Sequence, residues 1–422
     1  MWNFPAVRAK ILREREGGNV VERIILHCDL NCFYASVELL SHPELRELPV
    51  AVCGDPESRH GIILAKNEPA KRLGVKTAET IWQARKKCPE LRLLPAHHER
   101  YRAYSKKVNA IYDDYTDLVE PFGIDECWLD VTHTLHLFGG DAAALAKLLR
   151  QRVKKELGLT LSVGVSFNKV FAKLGSDYKK PDATTVISRE NWREIVWPLP
   201  AGAMLYVGHA AETLLGRYGI ETIGELAAAS PELLEHLMGK QVRKLYEYAN
   251  GRDVEPVKSR FDQEPVKSVG NGSTFSENLR SREELTRAVT LLADSVATRL
   301  RENGLYAGGV QVTLRDPQFH DRSRQRQLQN PTHLMRELRQ AALALIETLW
   351  KPGEPVRMLT ITAIHLSPDG EAFEQLDLFH QGAAPKKEKQ EKLEAAMDRI
   401  RGKYGESSIA FGETRQEHKE ES

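Results

Sequence analysis

Asp125 and Glu126 stand side by side in the run VEPFGIDECWLDV, among the apolar residues Phe122, Ile124, Trp128 and Leu129. Two adjacent carboxylates in such company lose hydration that something else must replace. A divalent cation replaces it well, because hard Mg2+ takes carboxylate oxygens and keeps positions open for substrate phosphates. A third acid, Asp29, closes another apolar run, RIILHCDL. Three carboxylates delivered from two strand ends make a cage for metals. On pattern alone the pair is equally a solvated turn, since Asp is common in turns. Neighbouring strand residues face opposite sides of a sheet. Convergence therefore needs a hairpin end, where Gly123 permits a bend.

The elements that must position these acids follow from hydrophobic period. VERIILHCDL reads as a strand, and CFYASVELL as a helix from about Asn31, with Phe33, Val37 and Leu40 at helical spacing. Strands PVAVCG and GIILA, helices EPAKRLGV and ETIWQARKKC, strand LRLLP and helix ERYRAYSKKVNAIYDDYT lead to the acidic hairpin. Helix DAAALAKLLRQRVKKELG and strand LSVGVS complete an alternation that predicts helices on one face of a mixed sheet. From 198 to 252 glycines break the chain into short helices, and RDVEPVKSRFDQEP reads as a tether. Residues 266–366 alternate strand and helix again as a separate α+β module, and the chain after Pro368 is polar and charged.

Composition narrows the class. Lys and Arg total 60 against 59 Asp and Glu, so there is no global nucleic-acid signature and any basic surface must be local. The five cysteines are odd in number and never spaced as a zinc pair, which reads as reduced core residues. The charged N-terminal run has no secretory apolar core and no run approaches a membrane span, so the expectation is a cytoplasmic protein.

The segments HCDLNCFYASVE, GVKTAETIWQARKKCPEL, VEPFGIDECWLDV and SVGVSFNKVFAKLGSDYKKP, in this order, resemble the Y-family DNA polymerases over roughly residues 23–370. The resemblance implies an α+β multidomain right hand. Its ferredoxin-like palm would take 1–32 and 98–180, its small fingers 33–97 and its helical thumb 181–255. A linker at 256–265, an α+β little finger at 266–368 and a tail at 369–422 would complete it. It also implies template-directed, error-prone translesion synthesis, adding dNTPs to a primer without proofreading, by a monomer on primer-template DNA. Asp29, Asp125 and Glu126 would hold two Mg2+ ions, with the carbonyl of Leu30 beside the second. One ion would activate the primer hydroxyl and the other would neutralise the leaving pyrophosphate. Tyr34, alone an ordinary core aromatic, becomes the steric gate against a ribose hydroxyl. The N–H groups of Cys32, Phe33 and Tyr34, with Lys71 and Lys169, would meet the triphosphate. Lys173, one turn after Lys169, carries little weight by itself.

Two departures bear on the triphosphate site. Glu68 and Lys71 stand where many relatives carry Tyr and Arg, and Asn31 replaces a common acid. In the thumb, Gly208 and Gly219 resemble parts of a helix–hairpin–helix that holds DNA phosphates. In the little finger, Arg322, Arg324 and Arg326 recur at period two; as a strand they would share one face and track a DNA backbone, and as a loop they would be solvated. The tail holds Gln375, Leu376, Asp377, Leu378 and Phe379, which resemble the bacterial sliding-clamp binding motif. Two rival readings remain at this level: a palm-type nucleotide cyclase, needing no template, and a catalytically weakened DNA- and clamp-binding accessory.

Overall fold

The computed structural model describes residues 22–54, 61–240, 242–262, 265–369, 384–405 and 408–412. They fall into two compact units, divided between Gln263 and Glu264.

In the first unit β1 (Ile25–Leu30) leads into α1 (Phe33–Leu39). Next come β2 (Val50–Cys53), β3 (Ile63–Lys66), α2 (Glu68–Arg72), α3 (Ile81–Lys87) and β4 (Arg92–Pro95). The three strands form a small sheet in the order β3-β2-β4, and it has its own apolar core, including Ala51, Ile63, Ala70, Ile81 and Ala84. Then follow α4 (His98–Asp113), β5 (Val119–Pro121), β6 (Glu126–Asp130), α5 (Ala142–Leu157), β7 (Leu161–Ser166), α6 (Lys169–Tyr178) and β8 (Thr184–Ile187). Their five-stranded sheet runs β5-β6-β1-β7-β8. Every residue of central β1 and of its neighbour β7 is buried, which explains their near-continuous apolar reading.

Helices cover both faces of this sheet, whereas alternation alone predicted one. Helices α4 and α5 share a core with Leu26, Cys28, Leu129 and Val163. On the opposite face α6 lies almost backbone to backbone on β7: a Cβ on Gly164 would come within 1.9 Å of the Ala172 carbonyl oxygen. A glycine in the strand thus lets the helix approach closely. The short α7 (Trp192–Val196), α8 (His209–Gly216), α9 (Ile223–Ala228), α10 (Pro231–Met238) and α11 (Val242–Ala249) gather around Phe171, Trp192, Leu215 and Leu245.

The second unit contains β9 (Ser268–Leu279), α12 (Arg282–Glu302), β10 (Leu305–Arg315), β11 (Asp321–Thr332), α13 (Met335–Leu349) and β12 (Val356–Pro368), with sheet order β11-β10-β12-β9. Buried residues alternate along β10 and β12, so one face packs on α12 and α13. A further helix, α14 (Ala384–Tyr404), docks through Arg301, which bonds Glu394 and Asp398, and through Arg401 on Asp294. No helix among the described residues is long and apolar enough to cross a membrane.

Candidate active site

The antiparallel register of β1 and β6 sets Asp29 directly opposite Glu126, and His27 opposite Trp128, on the face that α6 covers. Asp125 precedes the first residue of β6, in the bend 122–125, and its carbonyl accepts the Leu30 N–H at 3.0 Å. It therefore escapes the alternation that would send neighbouring strand residues apart. Ligand atoms of His27, Asp29 and Glu126 all lie within 4.8 Å of one another, a cluster that does not include Asp125. Asp125 still feels the others. Burial, then the charges of Asp29 and Glu126, push its carboxyl up to about 6.

Two ammonium groups face these acids. Lys173 Nζ, from α6, lies 3.1 Å from Asp29 and 2.8 Å from Glu126. Lys180 Nζ, just past α6, lies 2.6 Å from Asp29. Both lysines are held above their ordinary values: burial opposes their charge, but Asp29 and its neighbours outweigh it. Burial likewise works against ionised Glu126, yet the Lys173 ammonium, 2.8 Å from it, brings it down to about 2.

His27 adds a residue that the sequence did not single out. It is fully buried, and its Nδ1 lies 2.8 Å from Ser176 Oγ, which donates to the Lys173 carbonyl. That bond makes Nδ1 the protonated nitrogen of a neutral ring and leaves the Nε2 lone pair 3.4 Å from Glu126. His27 Nε2 is a buried atom without a hydrogen-bond partner. Oxygen-rich acids beside an orphaned nitrogen suit a divalent cation. Asp29 and Glu126 would hold it, with Asp125 next to them.

Lys169 does not reach the acids. Its ammonium lies 2.7 Å from Glu120 and 4.4 Å above the Trp128 ring, with its side chain only 8% exposed. The lysines that stand beside the acids are Lys173 and Lys180. The signal was present in sequence, because Lys173 lies one turn along from Lys169 and Lys180 ends the SDYKK run. Choosing among the three lysines required the rotation of α6 against β7.

Tyr34 stacks on Tyr101, with ring centroids 4.0 Å apart and planes at 13°. Tyr101 is itself fixed, since its hydroxyl donates to buried Glu38 at 2.7 Å, and Glu38 also takes Arg100 at 2.8 Å. Burial and the Asp125 carboxylate hold the Tyr34 phenol above its ordinary value, which ties this ring to the acid cluster. Cys32 caps α1 in a left-handed conformation, with φ 49°, uncommon for a non-glycine residue. Asn31 pins the chain just before it: its amide donates to Ser162 Oγ at 3.0 Å and accepts the Asp182 N–H at 2.8 Å. Asn31 thus acts as a clasp between β7 and the segment after α6. Glu68, from α2, reaches the start of α1, 3.5 Å from Cys32 Sγ, and Lys71 pairs with it at 3.5 Å.

Away from this cluster, Gly208 is the N-cap of α8, and Gly219, at φ +73°, makes the turn that follows that helix. Arg322, Arg324 and Arg326 lie in β11, an edge strand, and are exposed. Their register opposite Leu314, Val312 and Val310 puts them on the face that the two helices cover. Glu354 takes Arg322 at 2.9 Å. The pentapeptide 375–379 lies outside the described residues.

Comparison with known proteins agrees with this arrangement. Residues 28–177 match the impB/mucB/samB family, and residues 266–378 match its C-terminal domain. A DNA polymerase IV of Acetivibrio thermocellus is 44% identical, over 93% of this chain and 97% of that protein. DNA polymerase IV 1 of Bacillus subtilis is 39% identical, over 93% of each. A solved Y-family DNA polymerase chimera shares the fold at TM-score 0.71 and 22% identity, covering 82% of this chain and 100% of the chimera. An acid cluster between β1 and β6, followed by a second α+β unit and matched over 93% of the chain by such relatives, assigns the chain to the Y-family DNA polymerases, in the DNA polymerase IV group of the impB/mucB/samB family.

Proposed function

We propose that the chain carries out template-directed translesion DNA synthesis, adding dNTPs to a primer 3′-hydroxyl without proofreading, at the cluster of Asp29, Asp125 and Glu126. The observation that carries this reading is the opposition of Asp29 and Glu126 in the β1–β6 register, with two ammonium groups turned onto them. Acids so compensated suit a site that exchanges its counter-charges when a metal-bound triphosphate arrives. Two divalent cations held by Asp29, Asp125 and Glu126, beside the Leu30 carbonyl, would neutralise the triphosphate and lower the pKa of the primer hydroxyl.

The chain's own residues supply position and charge. Lys180 and Lys173 are cations within reach of the anionic phosphates once cations take over the acids. Tyr34, stacked on Tyr101, would be the gate against a ribose hydroxyl. Lys71, already paired with Glu68, is a weaker phosphate partner than an arginine would be. Residues 375–379 would bind a bacterial sliding clamp through Leu378 and Phe379, as short apolar anchors do, and the polymerase would act as a monomer.

Primer extension by the purified chain, with dNTPs and Mg2+, tests the reading. Asp29→Ala and Glu126→Ala should each lower the rate by at least about 10²–10³-fold. Full extension by either variant, or nucleotide turnover without a template, would remove the assignment. Deleting 375–379 should abolish stimulation by the clamp and leave clamp-free extension unchanged.

A further inference from the structure

The small three-stranded sheet and its helices carry a local charge that the whole chain conceals. Between Lys66 and Arg92 there are eight lysines and arginines against three acids, although the chain as a whole has a net charge of only +1. Helix α3 gives this charge a surface. Its Thr80–Gln83 capping box fixes the start, and Ile81 and Ala84 anchor the opposite side in the core. Outward, Trp82 is 70% exposed, and Lys86 Nζ sits 5.5 Å from the centre of its ring. Arg85 and Lys86 follow Trp82 at i+3 and i+4, so all three share one exposed face. The nearest acid in sequence, Glu79, is bound to Lys87 and does not neutralise that face. Glu68 is engaged by Lys71, and Glu90 lies beyond the helix.

An exposed indole bordered by two cations has the chemistry of a single-stranded nucleic-acid platform. Bases stack on the ring whatever their identity, and the cations hold the phosphates on either side. A solvated basic helix would need the lysines and arginine but gains nothing from an indole facing water. We propose that Trp82, Arg85 and Lys86 bind the unpaired template strand, with Trp82 stacking one base. The proposal rests on the polymerase reading for the identity of that strand.

The test uses the full chain and fluorescein-labelled primer-template DNA, with a thymidine overhang on the template or with a blunt end. Anisotropy without dNTP should show wild type preferring the overhang. Trp82→Ala should lose about tenfold in affinity for overhang DNA and nothing for blunt DNA, while Trp82→Phe keeps most of the preference. Arg85→Gln with Lys86→Gln should reduce the salt dependence for overhang DNA, by about 0.7 in log–log slope for each phosphate that no longer meets a cation. Trp82→Ala should leave that slope unchanged. Equal binding of overhang DNA by wild type and Trp82→Ala overturns the platform, and so does equal loss on both DNAs. A wild type that extends primers but ignores the overhang overturns it while the polymerase reading stands. Overhang binding that depends on Trp82, in a chain that extends no primer, would support the platform and sink the polymerase reading.

Discussion

Replacing Asp125 with Asn should stabilise the chain when metal is chelated, although it should abolish synthesis. Burial and two neighbouring acids raise this carboxyl from 3.8 to about 6. A folded-state value above the unfolded one means that the unfolded chain ionises more readily. The penalty on the folded state starts as pH rises through about 4 and is complete above about 6. The distance between those values corresponds to ~3 kcal/mol. Asn carries no charge to bury, so Asp125→Asn should gain about 2–3 kcal/mol at pH 7. For a unit of this size that corresponds to about 5–10 °C in Tm. Calorimetry of the whole chain in EDTA, at pH 7 and pH 4, reads the difference. The gain should be clear at pH 7, nearly absent at pH 4, and cut or reversed by Mg2+, which favours the ionised carboxylate. A variant no more stable than wild type at pH 7, or a gain that persists at pH 4, would refute the electrostatic argument. The general lesson would be familiar: a functional acid is held at a cost in stability.

Three further outcomes are expected. Tyr34→Ala should ease ribonucleotide incorporation by at least about tenfold, equivalent to 1.4 kcal/mol; Tyr101→Leu should act in the same direction but less, and unchanged sugar discrimination in both would remove the gate. Lys180→Met should raise KM for dNTP by about tenfold or more, as removal of a charged hydrogen bond does, whereas Lys169→Met should leave KM alone and lower stability, because it takes the ammonium from Glu120; the reverse pattern in steady-state kinetics would restore Lys169 to the triphosphate. Arg301→Ala should destabilise the second unit by about 3 kcal/mol, since it leaves buried Glu394 facing Asp398 without a cation; unchanged hydrogen exchange in α14 would show that the helix does not depend on this cluster.

Much of the frame was legible one-dimensionally. Apolar runs marked β1 and β7 because central strands bury both faces, and helical spacing marked α4, α5 and α12. The stretch holding Arg322, Arg324 and Arg326 was open between strand and loop; pairing with β10 makes it a strand, and the same pairing turns the arginines toward the helix-covered face. Periodicity reports which residues share a face, but not which face it is.

The carboxylates stood out in sequence for a physical reason: charged groups at strand ends violate the apolar pattern around them, whereas Tyr34, inside α1, was marked only by the family resemblance. Their partners carried no such mark. His27 passes as one more residue of a buried strand, and Glu38 as one more polar residue of a helix. Lys173 and Lys180 look no different from Lys169. Sequence by itself determined that acids stand at the ends of two apolar strands, where their lost hydration needs a replacement. Only the tertiary structure decided which cations answer them, because that depends on how far α6 can settle onto Gly164, and so on which side of the helix meets β1.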